Sequence, residues 1–168
     1  MATDHLPNIP DAAEVFLDAN IFIYAFTGKS RECADLLDRC VRQNVLGITA
    51  HETINEVTHR LMVHEAFHKG LIAKARADAL REKPAIIRSL TDYWAQTSQI
   101  FNMNLLIVET ADTILHRAHG IRLAHGLMTL DSVIVATMEE YGLDRIASLD
   151  TDFKPVGKLT VYHPTDIP

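Results

Sequence analysis

What most limits the folds open to this sequence is a set of short apolar runs placed between segments of helical periodicity. The runs are VFL at 15–17, VLGIT at 45–49, LLIV at 105–108, RIAS at 145–148 and LTVY at 159–162. Each is apolar along its length instead of alternating apolar with polar, as strands read when both faces are covered. Between the first two, Cys33, Ala34, Leu36, Leu37, Cys40 and Val41 recur at helical spacing behind a Ser30 N-cap. After the second, Ile54, Val57, Leu61 and Met62 mark a long helix over 50–68. Further helices are expected over 70–83, from Pro84 to about residue 102, over 110–123 and over 130–141, the last ended by Gly142. The alternation predicts an α/β fold, a parallel sheet with helices on both faces.

At 168 residues and 48% apolar, the chain is sized for one domain, with a core from about 14 to 164 and a loose arm over 1–13. A formal charge of −6 excludes a protein that coats nucleic acid by bulk charge. A polyanionic substrate would need a local basic patch or bound cations. The opening residues, MATDHLPNIPDAAE, lack the basic start and apolar run of a secretory leader. VFLDANIFIYAF is too short for a membrane span and is interrupted by Asp18. No membrane association and a cytoplasmic location are the expectation. Cys33 and Cys40 share a helix face but lie about 10 Å apart along the axis, too far for a disulfide.

In parallel sheets, functional groups collect beyond the C-terminal strand ends. Asp18 ends the first strand, Asp150 and Asp152 follow the fourth, Glu56 lies in the helix after the second, and Asp131 opens the helix leading to the fourth. Each has an ordinary use by itself. Asp18 can cap a helix, Glu56 can pair with Arg60, Asp131 can complement a helix dipole, and Asp150 can close an Asx turn in LDTDF. Together they put an acid at each place where this topology approaches one sheet edge. Carboxylates crowded in a cleft repel one another, and a hard divalent cation such as Mg²⁺ or Mn²⁺ relieves that repulsion. A cation so held can activate water against a phosphodiester.

The strings VFLDANIFIYAF, TINEVTHRLM, LMTLDSVIVATMEEYGL and RIASLDTDF, in that order, resemble the PIN-domain family, and most of all its VapC-type toxins from toxin–antitoxin operons. That family sets D-x-N after an apolar strand, E-[VL] on a helix, D-x-x-[IL]-x-A on a later helix and [TS]-x-D-x-D-F at a strand end. Here those positions are Asp18 and Asn20; Glu56 and Val57; Asp131, Ile134 and Ala136; and Ser148, Asp150, Asp152 and Phe153. Ser132 stands where Ala is frequent and Ser148 where Thr is frequent, both small changes. The resemblance spans about 15 to 164. It implies a three-layer α/β/α sandwich on a central, mostly parallel sheet, with an extra helical arm in the long stretch between the second and third strands. It also implies a metal-dependent endoribonuclease acting on RNA, usually a homodimer, often silenced by a cognate antitoxin. Within it, Asp18, Glu56 and Asp131 are catalytic metal ligands and Asp150 completes the acidic pocket. Asp152 is a further ligand or a turn residue, and Asn20 and Ser148 support the pocket.

Other signals count for less. His51-Glu52-Thr53-Ile54-Asn55 lacks the second histidine of a zinc-protease helix. His64 with His68, and His116 with His119, have no third ligand and read as surface residues; Glu52 also reads as surface. Trp94, Phe101 and Met103 sit at packing spacings and are expected in the core. The stretch 69–88 is rich in Lys and Arg; it is either a solvated face or the RNA-facing patch, with Lys74, Arg76 and Arg81 its candidates. Two alternatives stand beside the nuclease. One is a PIN fold used only to bind RNA or protein. The other, less favoured, is a haloacid-dehalogenase-like phosphatase, whose D-x-D is broken here by Asn20. A phospho-acceptor receiver is disfavoured because LLIVET offers Glu109 where it needs Asp.

Overall fold

The structure is a computed structural model and describes residues 2–153 and 155–167. In chain order the elements are β1 (Ala2–His5), a 3₁₀ turn (Leu6–Asn8), β2 (Glu14–Leu17), α1 (Ala19–Phe26), α2 (Arg31–Val41) and β3 (Leu46–Ala50). Then come α3 (His51–His68), α4 (Ala77–Arg81), α5 (Pro84–Ser89), α6 (Asp92–Gln99), a 3₁₀ turn (Ile100–Asn102) and β4 (Leu106–Val108). The chain continues with α7 (Asp112–His125), α8 (Thr129–Glu140), β5 (Arg145–Ala147) and β6 (Thr160–His163). All six strands form one parallel sheet in the order β1-β6-β5-β2-β3-β4. No single helix among the described residues is long and apolar enough to cross a membrane.

Alternate residues of β2 feed two cores, because successive side chains of a strand point to opposite faces. Phe16 packs with Ile48 and Val108 under α7 and α8, which contribute Ile114, Ala118, Val133 and Ala136. Val15 and Leu17 pack on the other side with Phe22 of α1, Cys33, Leu36 and Cys40 of α2, and Ile54, Val57 and Leu61 of α3. The result is three layers with β2 buried at the centre. Cys33 and Cys40 are free thiols on the inner face of α2. Burial pushes both up to about 11, so they act as small hydrophobes.

The expected arm lies beyond α3 and has a small core of its own: Val63, Ala66, Ile72, Leu80 and Leu90. It is less regular than the periodicity predicts. Only Ala77–Arg81 of the 70–83 stretch is helical, and the helix expected from Pro84 onward breaks at Leu90, whose backbone is extended. The break has a partner in α3. Buried Glu65 accepts hydrogen bonds from the backbone N–H of Thr91 (3.0 Å) and Tyr93 (2.8 Å) and from Lys69 Nζ (2.6 Å), which starts α6 as a separate helix.

Three further expectations are corrected. Residues 2–5, expected in a loose arm, form the sheet-edge strand β1 beside β6; Met1 lies outside the described residues. Trp94 and Phe101, expected in the core, are about half exposed at 54% and 51%. Their spacing is that of a buried face, but the arm is too small to cover them.

Candidate functional site

Chain order places the site. From β2 the chain steps outward to β3 and then β4, and later returns to the opposite side of β2 as β5. The sheet therefore has its topological switch point between β2 and β5, the place beyond the strand C-termini where sheets of this kind bind their ligands. Asp18 follows β2 and Ser148 follows β5. The Asp18 amide donates to the Ala147 carbonyl at 3.1 Å, so the two ends leave the sheet in register.

Asp18 is buried and caps α1 through Oδ1, which accepts the Ala19 N–H at 2.7 Å. Its Oδ2 accepts from Ser148 Oγ (2.6 Å) and from Asn20 Nδ2 (2.6 Å). Asn20 also donates to Ser148 Oγ at 3.2 Å, and its Oδ1 receives the Leu149 N–H at 3.0 Å. The cap and the site are thus one arrangement, in which the ordinary use of Asp18 spends one carboxylate oxygen and the network holds the other. Burial pushes the Asp18 carboxyl up to about 6. The Ser148 and Ala19 hydrogen bonds pull it down, and the negative charges of Glu56 and Asp150 push it up again.

Asp131 sits in the first turn of α8, partly buried. Its carboxyl is raised by burial first, then by Asp150, Asp152 and Glu56. Glu56, in α3, is partly buried, with Arg60 Nε 3.9 Å from its Oε1. Asp150 is exposed; its amide donates to Ser148 Oγ (2.9 Å) and its Oδ1 accepts the Asp152 N–H (2.9 Å), an Asx turn. Asp152 is exposed beside it. The charges of Glu56 and Asp150 thus act on both Asp18 and Asp131, and that of Asp152 acts on Asp131. Among the described residues, however, no three His, Cys, Asp or Glu side chains stand close enough to enclose a metal ion between them. The donors are all carboxylate oxygen, and Asp18 and Asp131 both carry the like-charge repulsion that a hard divalent cation offsets, so the residues present fit such an ion.

Glu52, expected on the surface, is partly buried. It lines a small cavity with Thr53, Glu56, Leu130, Ile134 and Thr137, and its Oε2 has no hydrogen-bond partner. Helical spacing places it one turn before Glu56, which was the available signal. Lys29 and His59 carried no expectation from the sequence, and His64, expected on the surface, is partly buried. They line a groove with Asn20, Tyr24 and Arg60. The i,i+4 pairs Asn20–Tyr24 and Arg60–His64 are the pattern that marks these two helix faces. Of the basic candidates in the arm, Arg76 is engaged with Asp78 through two bonds of 3.0 and 2.9 Å, while Lys74 and Arg81 are exposed.

Residues 15–159 match the PIN domain family. Ribonuclease VapC2 of Methanocaldococcus jannaschii is 26% identical over 152 residues, covering 88% of this chain and 92% of its own length. Ribonuclease VapC6 of the same organism is 22% identical over 145 residues, covering 86% and 93%. Among solved structures, VapBC2 from Rickettsia felis bound to a DNA fragment from their promoter superposes with a TM-score of 0.59 at 13% identity, covering 89% of this chain and 98% of that one. A toxin–antitoxin complex from Klebsiella pneumoniae gives 0.56 at 18% identity, covering 86% and 94%. Mycobacterium tuberculosis VapC20, a sarcin–ricin loop cleaving toxin, gives 0.55 at 11% identity, covering 85% and 95%.

Proposed function

The chain belongs to the PIN-domain family, and from that premise we propose that it is a divalent-metal-dependent endoribonuclease, the toxin of a toxin–antitoxin pair. The observation that carries the reading is the buried Asp18 at the switch point, its carboxyl raised by burial and facing the charges of Glu56 and Asp150. An acid kept there at such a cost needs a use beyond capping α1. The ribonuclease names of its curated relatives support the same reading.

Asp18, Glu56, Asp131 and Asp150 would hold Mg²⁺ or Mn²⁺, with Asp152 as a further ligand. The ion, when bound, supplies charge to the scissile phosphate and lowers the pKa of an attacking water. The protein's own part is orientation. Ser148 and Asn20 fix Oδ2 of Asp18, as partners behind metal ligands do. Asp150, on its turn beside Ser148, would orient the nucleophilic water. In this reading one PIN-like domain over 1–168, with β1 part of its sheet, works in the cytoplasm as a homodimer that an antitoxin binds. Exposed Leu115, Leu123, Met128 and Leu130 supply apolar surface for such a partner.

The test is cleavage of single-stranded RNA with Mn²⁺ and with excess EDTA, using the parent and Asp18→Asn, Glu56→Gln and Asp131→Asn. The reading expects EDTA to stop cleavage and each variant to lose most activity while remaining folded. EDTA-resistant cleavage would sink the metal mechanism. A parent that binds RNA but never cuts it would favour the binding module.

A further inference from the structure

We infer that the groove between α1, the middle of α3 and the start of the arm is the path by which a single-stranded RNA reaches the acidic centre. The inference rests on the nuclease reading for its substrate and on the groove's own chemistry for its location. The groove encloses about 430 Å³, within the roughly 300–1,000 Å³ usual for a site that holds a drug-sized ligand. Its lining includes Lys29, His59, Arg60 and His64, with Tyr24, and no carboxylate among the described residues. In a chain of net charge −6 this is a local reversal of sign, which a polyanion needs in order to approach.

Two contacts join the groove to the acids. Asn20 lines it and donates to Asp18 Oδ2 at 2.6 Å. Arg60 also lines it and lies with Nε 3.9 Å from Oε1 of the partly buried Glu56, a long pair whose exposed arginine a phosphate can engage at little cost. The positive charge of the groove is that of Lys29 and Arg60. The His64 imidazole is held below its ordinary value by burial first, then by Lys29 and by His68, which stacks on it at 5.7 Å between centroids, so it stands in the groove as a neutral hydrogen-bonding group near pH 7. Lys29 Nζ lies over the Tyr24 ring, 5.9 Å from its centroid, so an unpaired base takes that face as the ammonium moves off it onto a phosphate. Lys29 and Arg60 therefore take phosphates and Tyr24 takes a base, a division suited to single strands, whose bases are free to stack. Ala75 and Ala77 of the arm form part of the groove's wall, and Lys74 is not among its lining residues.

The test is fluorescence anisotropy of a short labelled single-stranded RNA in EDTA, so that binding is read without cleavage. Lys29→Ala with Arg60→Ala should weaken binding about tenfold or more. It should also flatten the salt slope by about 1.4, from about 0.7 per lost phosphate contact. Lys29→Arg with Arg60→Lys should restore both, which separates charge from a folding defect. Tyr24→Ala should weaken binding with the salt slope unchanged. Lys74→Ala with Arg81→Ala should cost less than the groove pair. If the groove pair binds like the parent while the parent cuts RNA, the groove assignment is overturned and the nuclease stands. If the parent does not cut RNA but its binding still depends on Lys29 and Arg60, the nuclease fails and the groove stands. A parent that binds no RNA overturns the groove's assignment to RNA and leaves it to an acidic peptide.

Discussion

Ser148 Oγ donates a 2.6 Å hydrogen bond to Asp18 Oδ2, so the residue after β5 holds the acid after β2. The same hydroxyl accepts from Asn20 Nδ2 and from the Asp150 amide, which uses its full hydrogen-bonding capacity.

Ser148→Ala should therefore do more than delete one bond. It leaves a buried carboxylate oxygen with one donor fewer and frees two donors that met at Oγ. A loss of about 1–3 kcal/mol is expected from denaturant melts. The Asp18 carboxyl should rise further, because the Ser148 bond is what most lowers it. Ser148→Thr, which keeps the hydroxyl, should hold both properties closer to the parent. An alanine variant with unchanged stability and unchanged Mn²⁺ affinity by calorimetry would show that the network does not position Asp18.

The metal-free protein should be more stable near pH 5 than near pH 7.5. Asp18 lies near 3.8 in the unfolded chain and about 6 in the fold, so between those values the folded state binds the extra proton. Stability then falls as pH rises through that window, by up to about 3 kcal/mol from Asp18 for a shift of this size. Asp131 is raised and contributes in the same direction. Melting temperatures in EDTA across this range should show the fall, and Asp18→Asn should flatten it. A flat parent profile would mean that Asp18 is better solvated than the structure makes it.

Glu65 behaves in the opposite sense. Burial works to raise its carboxyl, but Lys69 and the backbone N–H groups of Tyr93 and Thr91 override it and hold it at about 2. Its contribution is present above about pH 4.5 and is lost as pH falls toward 2. Glu65→Gln places an NH₂ among donors and should cost about 3 kcal/mol. Hydrogen exchange should accelerate at the amides of Thr91 and Tyr93 while β2 and β3 stay protected. Uniform acceleration would mean that the arm does not unfold separately from the sheet.

Gly47→Ala tests how closely α2 sits on the sheet. A Cβ there would stand 2.6 Å from Leu105 Cδ2, 2.9 Å from Cys40 Sγ and 3.1 Å from Leu17 Cδ1. Leu105 is only partly buried and can move aside, but Cys40 is held inside its helix. A loss of about 1–2 kcal/mol is expected from urea melts. Smaller Cys40→Ala in the same chain should recover part of it. A fully neutral Gly47→Ala would show that α2 shifts freely on β3.

Much of the layered fold was readable along the chain because its causes are local. Continuous apolar runs such as VFL and RIAS need cover on both faces, and the Cys33–Leu36–Leu37–Cys40 stripe has one face to bury. The place of Asp18 and Asn20 at a strand end was readable for the same reason, since strand, cap and helix start lie within a few residues. What depended on distant partners was not. The N-terminal segment became a strand only because β6 offered an unpaired edge, and the helix after Pro84 broke where Glu65, far back in α3, could cap a new one. The half-burial of Glu52 and the basic lining beside Asn20 depend on α3 lying against α8 and α1. The sequence by itself determined strands β2 to β6, the helices α2, α3, α7 and α8 and the residue types that stand at their ends, because local propensity and periodicity act over a few residues. Only the tertiary structure decided which ends meet and which charges face one another, because those energies arise between side chains that the chain keeps a hundred or more residues apart, as with Asn20 and Ser148.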